Sequence, residues 1–191
     1  MKKKLDIKAL VSQDTLNSEL EYERALIAER QLKLLADEDS QYHLWRKALR
    51  QLIHEYEKKE WSEISKLDDR KIKESDEAEM EAEAERVFLL ERKNLIRSRL
   101  QELQLNQGDL CALLGHRSKT HFSELMNGLK PFTIRDIVIL HRLLGLDIRQ
   151  LVPTTLSLSE QTKIKRVIVQ LKKPRLQLKK EKLILKSPRQ R

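Results

Sequence analysis

Between Asn106 and Val152, residues that start helices and residues that stop them follow one another in strict alternation. Asn106 precedes Gln107–Leu114 and Gly115 ends it; Ser118 precedes the next segment and Asn127-Gly128 ends it; Thr133 precedes Ile134–Leu144 and Gly145 ends it; Asp147 precedes Ile148–Val152. Asn, Ser, Thr and Asp side chains accept hydrogen bonds from the open N–H groups of a helix's first turn, and glycine takes the left-handed conformation that closes its last. Leu95, Ile96, Leu100 and Leu103 stand at helical spacing ahead of Asn106, so the pattern predicts five compact helices over residues 90–153. The remainder agrees, because four Gly and four Pro in 191 residues are too few turn formers for a sheet-rich chain. The expected fold class is all-α.

Upstream, Leu20, Ile27, Leu34 and Leu35 fall near one face of a helix predicted over 13–36, with Asn17 or Thr15 as its cap. From Gln41 to Trp61, Trp45, Leu49, Leu52, Ile53 and Tyr56 recur at steps of three and four, and Asp37, Glu38, Asp39 and Ser40 supply the break between the two helices. Such helices form an antiparallel hairpin in which each covers the other's apolar stripe. The run ESDEAEMEAEAE, Glu74 to Glu85, is rich in helix formers and poor in apolar groups, which predicts a solvent-exposed connecting helix. After Pro153, Ser159–Leu171 is amphipathic, with Ile164, Val167, Ile168 and Leu171 on one face, and Pro174 stops it. Leu176, Leu178 and Leu183–Leu185 fit either a short strand or a basic tail. The expected organisation is a partner-binding helical hairpin at 1–61, an acidic linker helix at 62–86, a helix-turn-helix domain at 87–153, and a basic amphipathic helix and tail at 154–191.

Charge divides the chain. Residues 1–90 hold 22 Asp and Glu against 17 Lys and Arg, a net −5, and residues 91–191 hold 8 against 22, a net +14. A basic half points to a polyanion, of which nucleic acid is the commonest in cells, although a solvated surface, a membrane or an acidic protein answers the same charge. No apolar stretch approaches the roughly 18 residues of a membrane span, and Lys2 to Lys4 lead into Leu5–Leu10 without an apolar core, so a cytoplasmic protein is expected. The lone cysteine, Cys111, excludes an intramolecular disulfide framework and suits a small buried apolar position. His43, His54, His116, His121 and His141 lack zinc-binding spacing, so neither a metal nor a cofactor is expected. Paired carboxylates, a nucleophile constellation and a phosphate loop are missing too, which argues against an enzyme.

The stretch that carries chemistry runs from Leu105 to Gly128. Cys111 and Ala112 are small where a second helix would cross the first, and Phe122, Leu125 and Met126 are spaced to anchor that second helix. Lys119, Thr120, Ser123 and His121 then face outward, an arrangement that suits a recognition helix entering the major groove by its first turn. At Gln107-Gly108-Asp109-Leu110-Cys111-Ala112-Leu113-Leu114-Gly115 and Ser118-Lys119-Thr120-His121-Phe122-Ser123-Glu124-Leu125-Met126-Asn127-Gly128 the chain resembles the lambda-repressor-like, Xre-type helix-turn-helix regulators. The resemblance implies that Gln107 braces on a phosphate or on a recognition-helix side chain, that Lys119, Thr120 and Ser123 look toward the groove, and that Asn127 and Lys130 look toward the DNA backbone. Arg117, Ser118 and His121 complete the implied DNA-binding set. The chain departs from the family in having Cys111 where alanine is usual and a longer segment, His116 to His121, between the two helices.

The strings Asn17-Ser18-Glu19-Leu20-Glu21-Tyr22-Glu23-Arg24-Ala25-Leu26 and Leu49-Arg50-Gln51-Leu52-Ile53-His54-Glu55-Tyr56-Glu57-Lys58-Lys59 are similar to the hairpin that precedes this domain in HigA-type antitoxins. This resemblance implies an autorepressor that binds a palindromic operator in double-stranded DNA as a homodimer and neutralises a basic, RelE-like RNase toxin through its acidic N-terminal half. Two other readings fit the same residues: a stand-alone or phage-type Xre repressor without a toxin, and a basic RNA-binding or scaffold protein. Between Lys163 and Arg191 stand twelve cations and one acid, Glu181, suited either to phosphates or to strand pairing across a dimer.

Overall fold

The computed structural model describes residues 6–36, 39–62, 68–154, 156–173 and 175–178, and its regular structure is helical throughout. In chain order the helices are α1 (Ile7–Val11), α2 (Glu19–Leu34), α3 (Ser40–Glu60), α4 (Asp69–Glu102), α5 (Gln107–Leu113), α6 (Lys119–Met126), α7 (Ile134–Leu144), α8 (Ile148–Leu151) and α9 (Leu158–Gln170). The chain is therefore all-α, as its punctuation predicts. It divides into two compact units, the first ending at Val152 and the second beginning at Pro153. Of the expectations above, those on Asp37, Glu38, Pro174 and Leu183–Leu185 lie outside the described residues.

Within the first unit, α2 starts later than predicted. Ser18 has the extended backbone of an N-cap and accepts from the Glu21 N–H (3.3 Å), whereas Asn17 donates its own N–H to the Glu21 carboxylate (2.9 Å). The predicted pairing of α2 with α3 is present: Ala25, Ala28 and Leu32 share a core with Tyr42, Leu49, Leu52, Ile53 and Tyr56, and Tyr22 stacks on Tyr56 at 5.0 Å. Across the same seam Glu29 accepts from Arg46 (2.7 Å) and Arg50 (2.9 Å). Burial pushes the Glu29 carboxyl up, but those two hydrogen bonds and charges leave it below the usual carboxylate range. Leu34, predicted on the buried stripe, is 86% exposed. The helix α1 left no signal in the sequence because a five-residue helix has no periodicity and no independent stability. It exists because Ile7 and Leu10 are buried in the hairpin core and the Ile7 N–H donates to the Leu129 carbonyl (3.0 Å).

The largest departure from expectation is α4. Instead of a connecting helix ending near residue 86 and a new helix beginning near 87, one 34-residue helix crosses that boundary. Nor is its acidic stretch wholly solvated. Ala78 and Ala82, one turn apart, are buried against Leu20 and Ile27 of α2, and next to them buried Arg24 donates Nε (2.8 Å) and Nη2 to Glu85. Small side chains let the two helices approach closely, so alanines that read as spacers between acids are the contact surface.

One consequence of this packing is testable at Glu19, which is buried near the start of α2 with Oε2 lacking a hydrogen-bond partner. Burial raises its carboxyl above the ordinary 4.5, with Glu74 and Glu60 adding to the rise and Tyr56 and Lys71 opposing it. A carboxyl raised in the fold is penalised when ionised, fully above the folded pKa and not at all below the unfolded one. Glu19→Gln should therefore raise stability at pH 7, and its advantage should shrink as pH falls through the raised folded pKa and be gone below about 4.5, measured by urea unfolding at both ends.

Cations close several helix ends. Arg135 donates to the Leu114 carbonyl after α5 (2.7 Å), Arg99 to the Leu144 carbonyl of α7 (2.7 Å), Arg92 to the Leu151 carbonyl of α8 (3.3 Å) and Lys71 to the Glu60 carbonyl of α3. Positive charge at a C-terminus complements the helix dipole and satisfies carbonyls that have no intrahelical donor. Arg92 is buried between Phe88 (5.6 Å) and Phe132 (4.9 Å), and burial lowers its pKa to about 10. Part of the cation excess of residues 91–152 thus serves the fold itself.

The second unit contains α9, capped by Ser157 in a reciprocal box with Glu160. Residues 175–178, predicted as strand or tail, are not in a strand.

Candidate functional site

The core of residues 96–151 is built from Ile96 and Leu100 of α4, Leu110 and Cys111 of α5, Phe122 and Met126 of α6, and Leu140, Leu144, Leu146 and Leu151. Cys111 is buried there, as expected, and donates its Sγ–H to the His116 carbonyl (3.2 Å). Asn106 and Asp109 cap α5 reciprocally, as do Thr133 and Asp136 at α7 and Asp147 and Gln150 at α8. Each predicted start and stop residue in this stretch occupies its predicted place.

Helix α6 is held on one side and open at one end. Phe122, Leu125 and Met126 are buried anchors. At its C-terminus Gly128 has φ +73°, and a Cβ there would lie 2.9 Å from Leu89 Cδ1 of α4. Gly128→Ala is accordingly expected to cost about 1–3 kcal/mol, from backbone strain and from the clash, read as a lowered denaturation midpoint with an unchanged m-value.

At its N-terminus Ser118 accepts from the His121 N–H (3.1 Å), and Arg117, Ser118, Lys119 and Thr120 are all exposed. Gln107, the first residue of α5, is exposed as well. Among the described helices, α6 alone has neither an acidic cap nor an acid in its first turn. It has Arg117 and Lys119 there instead. Cations at that end oppose the helix dipole by about 0.3–1 kcal/mol each, the reverse of the arrangement that stabilises an isolated helix.

The other candidate residues are engaged inside the protein. His121 is half-buried, its Nδ1 3.5 Å from Glu124 and its ring edge-on to His116 at 5.1 Å. Asn127 donates to Ser123 Oγ (3.1 Å) and accepts from Lys93 Nζ (2.5 Å), which ties the end of α6 to α4. Lys130 Nζ lies 2.5 Å from the buried Glu124 carboxylate and 6.0 Å from the Trp45 ring centroid. Lys130 and Asn127, expected to look outward, are half-buried and bond internal partners: Lys130 the Glu124 carboxylate, and Asn127 both Ser123 and Lys93.

Two residues outside the expected DNA-binding set belong to the site's frame. Arg135 lies over the turn between α5 and α6, its guanidinium 3.8 Å from where a Cβ on Gly115 would stand. His116 in that turn brings Nε2 within 3.3 Å of Asp136, which is buried and also accepts from the Thr133 N–H and hydroxyl. Neither contact follows a helical spacing, so only the packed structure reveals them. Among the described residues no group of three or more His, Cys, Asp or Glu is placed to hold a metal ion, and no helix is long and apolar enough to cross a membrane.

No family model matches this chain, and neither a curated protein nor a solved structure does.

Proposed function

We propose that the protein is a sequence-specific DNA-binding regulator, with the C-terminal part of α4 and α5–α8 acting as a lambda-repressor-like domain. The observation that carries this reading is the first turn of α6: a buried, rigidly anchored helix whose exposed end gathers Arg117 and Lys119 where the helix dipole calls for an anion. A local rule broken at an exposed point, while every neighbouring helix obeys it, marks a place whose partner is external. A phosphate backbone supplies that negative charge, and Lys119 and Thr120 then reach base edges in the major groove. Gln107 braces the partner helix on the strand. Two copies on a palindromic operator would place their α6 helices about 34–36 Å apart.

The test is selection of duplexes from a randomised pool by the full-length protein, followed by footprinting. A two-fold symmetric site should emerge. Lys119→Ala and Thr120→Ala should each lose about 1–3 kcal/mol of discrimination between the selected site and its variants. Arg117→Ala should weaken all duplexes alike and lower the salt slope by about 0.9. A pool that yields no preferred duplex sinks the proposal.

The antitoxin form of this reading adds a RelE-like toxin on the hairpin. Leu34 at the end of α2 and Leu44 near the start of α3 are the exposed large apolar side chains there, and they are where it would dock. Co-purification from the native operon separates this form from a stand-alone repressor.

A further inference from the structure

Two helices carry exposed apolar rows, one bordered by acids and the other by lysines. On α4, the face opposite Ala78 and Ala82 presents the row Ile72, Asp76, Met80, Glu83, Val87 and Leu90, advancing by four and three residues, the spacing of a coiled-coil seam. Ile72, Met80 and Leu90 are exposed in that row, Met80 to 70%. Asp76, Glu79 and Glu83 lie in it or beside it and are exposed as well, Glu83 being held by Arg86 (2.7 Å). On α9, Val167 and Leu171 are half exposed and share a face with Ile164 and Ile168. Lys163 borders that face on one side and Lys165 and Lys172 on the other, all three exposed.

Charge decides what can cover each row. Two α4 rows facing one another would oppose acid to acid, and two α9 faces would oppose lysine to lysine, both unfavourable. A nucleic acid would satisfy the lysines of α9 but leave Val167 and Leu171 unburied. An acid-bordered apolar row satisfies both, and α4 provides one of comparable pitch. We propose that α9 of one copy docks on the Ile72–Leu90 row of α4 in a second copy, reciprocally, so that the exchange closes a two-fold dimer rather than an open chain. The inference is independent of the DNA reading.

The experiment is the molar mass of the full-length protein by light scattering and sedimentation over a concentration series, with helix content as the control for folding. The wild-type chain should reach twice its monomer mass. The acid swap, Asp76→Lys with Glu79→Lys, and the base swap, Lys163→Glu with Lys165→Glu, should each weaken the dimer about tenfold or more, since like charges then face one another. Combining the two swaps should restore the affinity to within about threefold of wild type. Met80→Gln, which lies outside every core, should weaken the dimer without any change of charge. A chain that is monomeric throughout overturns the proposal, as does a dimer that either swap leaves unaffected or that the combination fails to restore. A monomer that binds phosphatidylserine vesicles through Lys163 and Lys165 would assign α9 to a lipid surface instead.

Discussion

Ala82→Glu is expected to be among the most damaging single changes in this protein, with a loss of about 3–5 kcal/mol on urea unfolding. Ala82 is 1% exposed where α4 meets α2, beside Leu20 and Ile27. Glutamate is nearly as good a helix former as alanine, so the loss reports packing and a buried charge rather than helix propensity. Arg24, a buried cation of α2, is already bound to Glu85 and cannot compensate without leaving it. The control is Ala84→Glu, two residues along in the same acid–alanine run but only half-buried, where the cost should stay below about 1 kcal/mol. Equal effects at Ala82 and Ala84 would show that α4 does not pack on α2 through the Ala78–Ala82 stripe.

Lys130→Met is the second large effect. The substitution keeps most of the length of the side chain but removes the cation 2.5 Å from Glu124, whose side chain is 7% exposed and has His121 Nδ1 at 3.5 Å. Removing one partner of a buried pair leaves the other charge uncompensated, and with the Lys130 side chain 23% exposed the cost should be about 2–3 kcal/mol. Adding Glu124→Gln should return more than half of it, because the orphaned charge is then gone. If the protein binds DNA as proposed, its affinity should fall only with the folded fraction and its preference among duplexes should be unchanged. A Lys130→Met protein of normal stability whose DNA salt slope has dropped would instead place Lys130 on a phosphate, the direction expected from the sequence alone.

These two positions show why parts of the site were legible in the sequence and parts were not. The first turn of α6 was legible: Ser118 as cap, Lys119 and Thr120 outside, and Phe122, Leu125 and Met126 inside all follow from which residue types can bond a helix end and which can be buried. Lys130 and Asn127 sit at equally suggestive spacings, but Lys130 is turned to Glu124 and the Trp45 ring and Asn127 to Ser123 and Lys93, and no spacing announces the contacts to Trp45 and Lys93 from distant parts of the chain. A cation in a sequence has no stated direction, and a buried carboxylate within reach takes it before a distant phosphate does.

The same division runs through the fold. The amino-acid sequence by itself determined the helical class, the starts and stops of α5 to α8, and the pairing of α2 with α3, because capping, glycine stops and apolar periodicity act within a few residues of one another. Only the tertiary structure decided that the acidic segment and the helix predicted to follow it are one continuous α4, that Ala78 and Ala82 rather than Ala84 face α2, and that α1 forms at all. In each of those cases local energies leave the alternatives nearly equal. Glutamate and alanine favour helix on every face alike, and five residues cannot hold a helix alone. The choice was made by burial against residues far away in the chain: Leu20 and Ile27 for α4, and Leu129 and the hairpin core for α1.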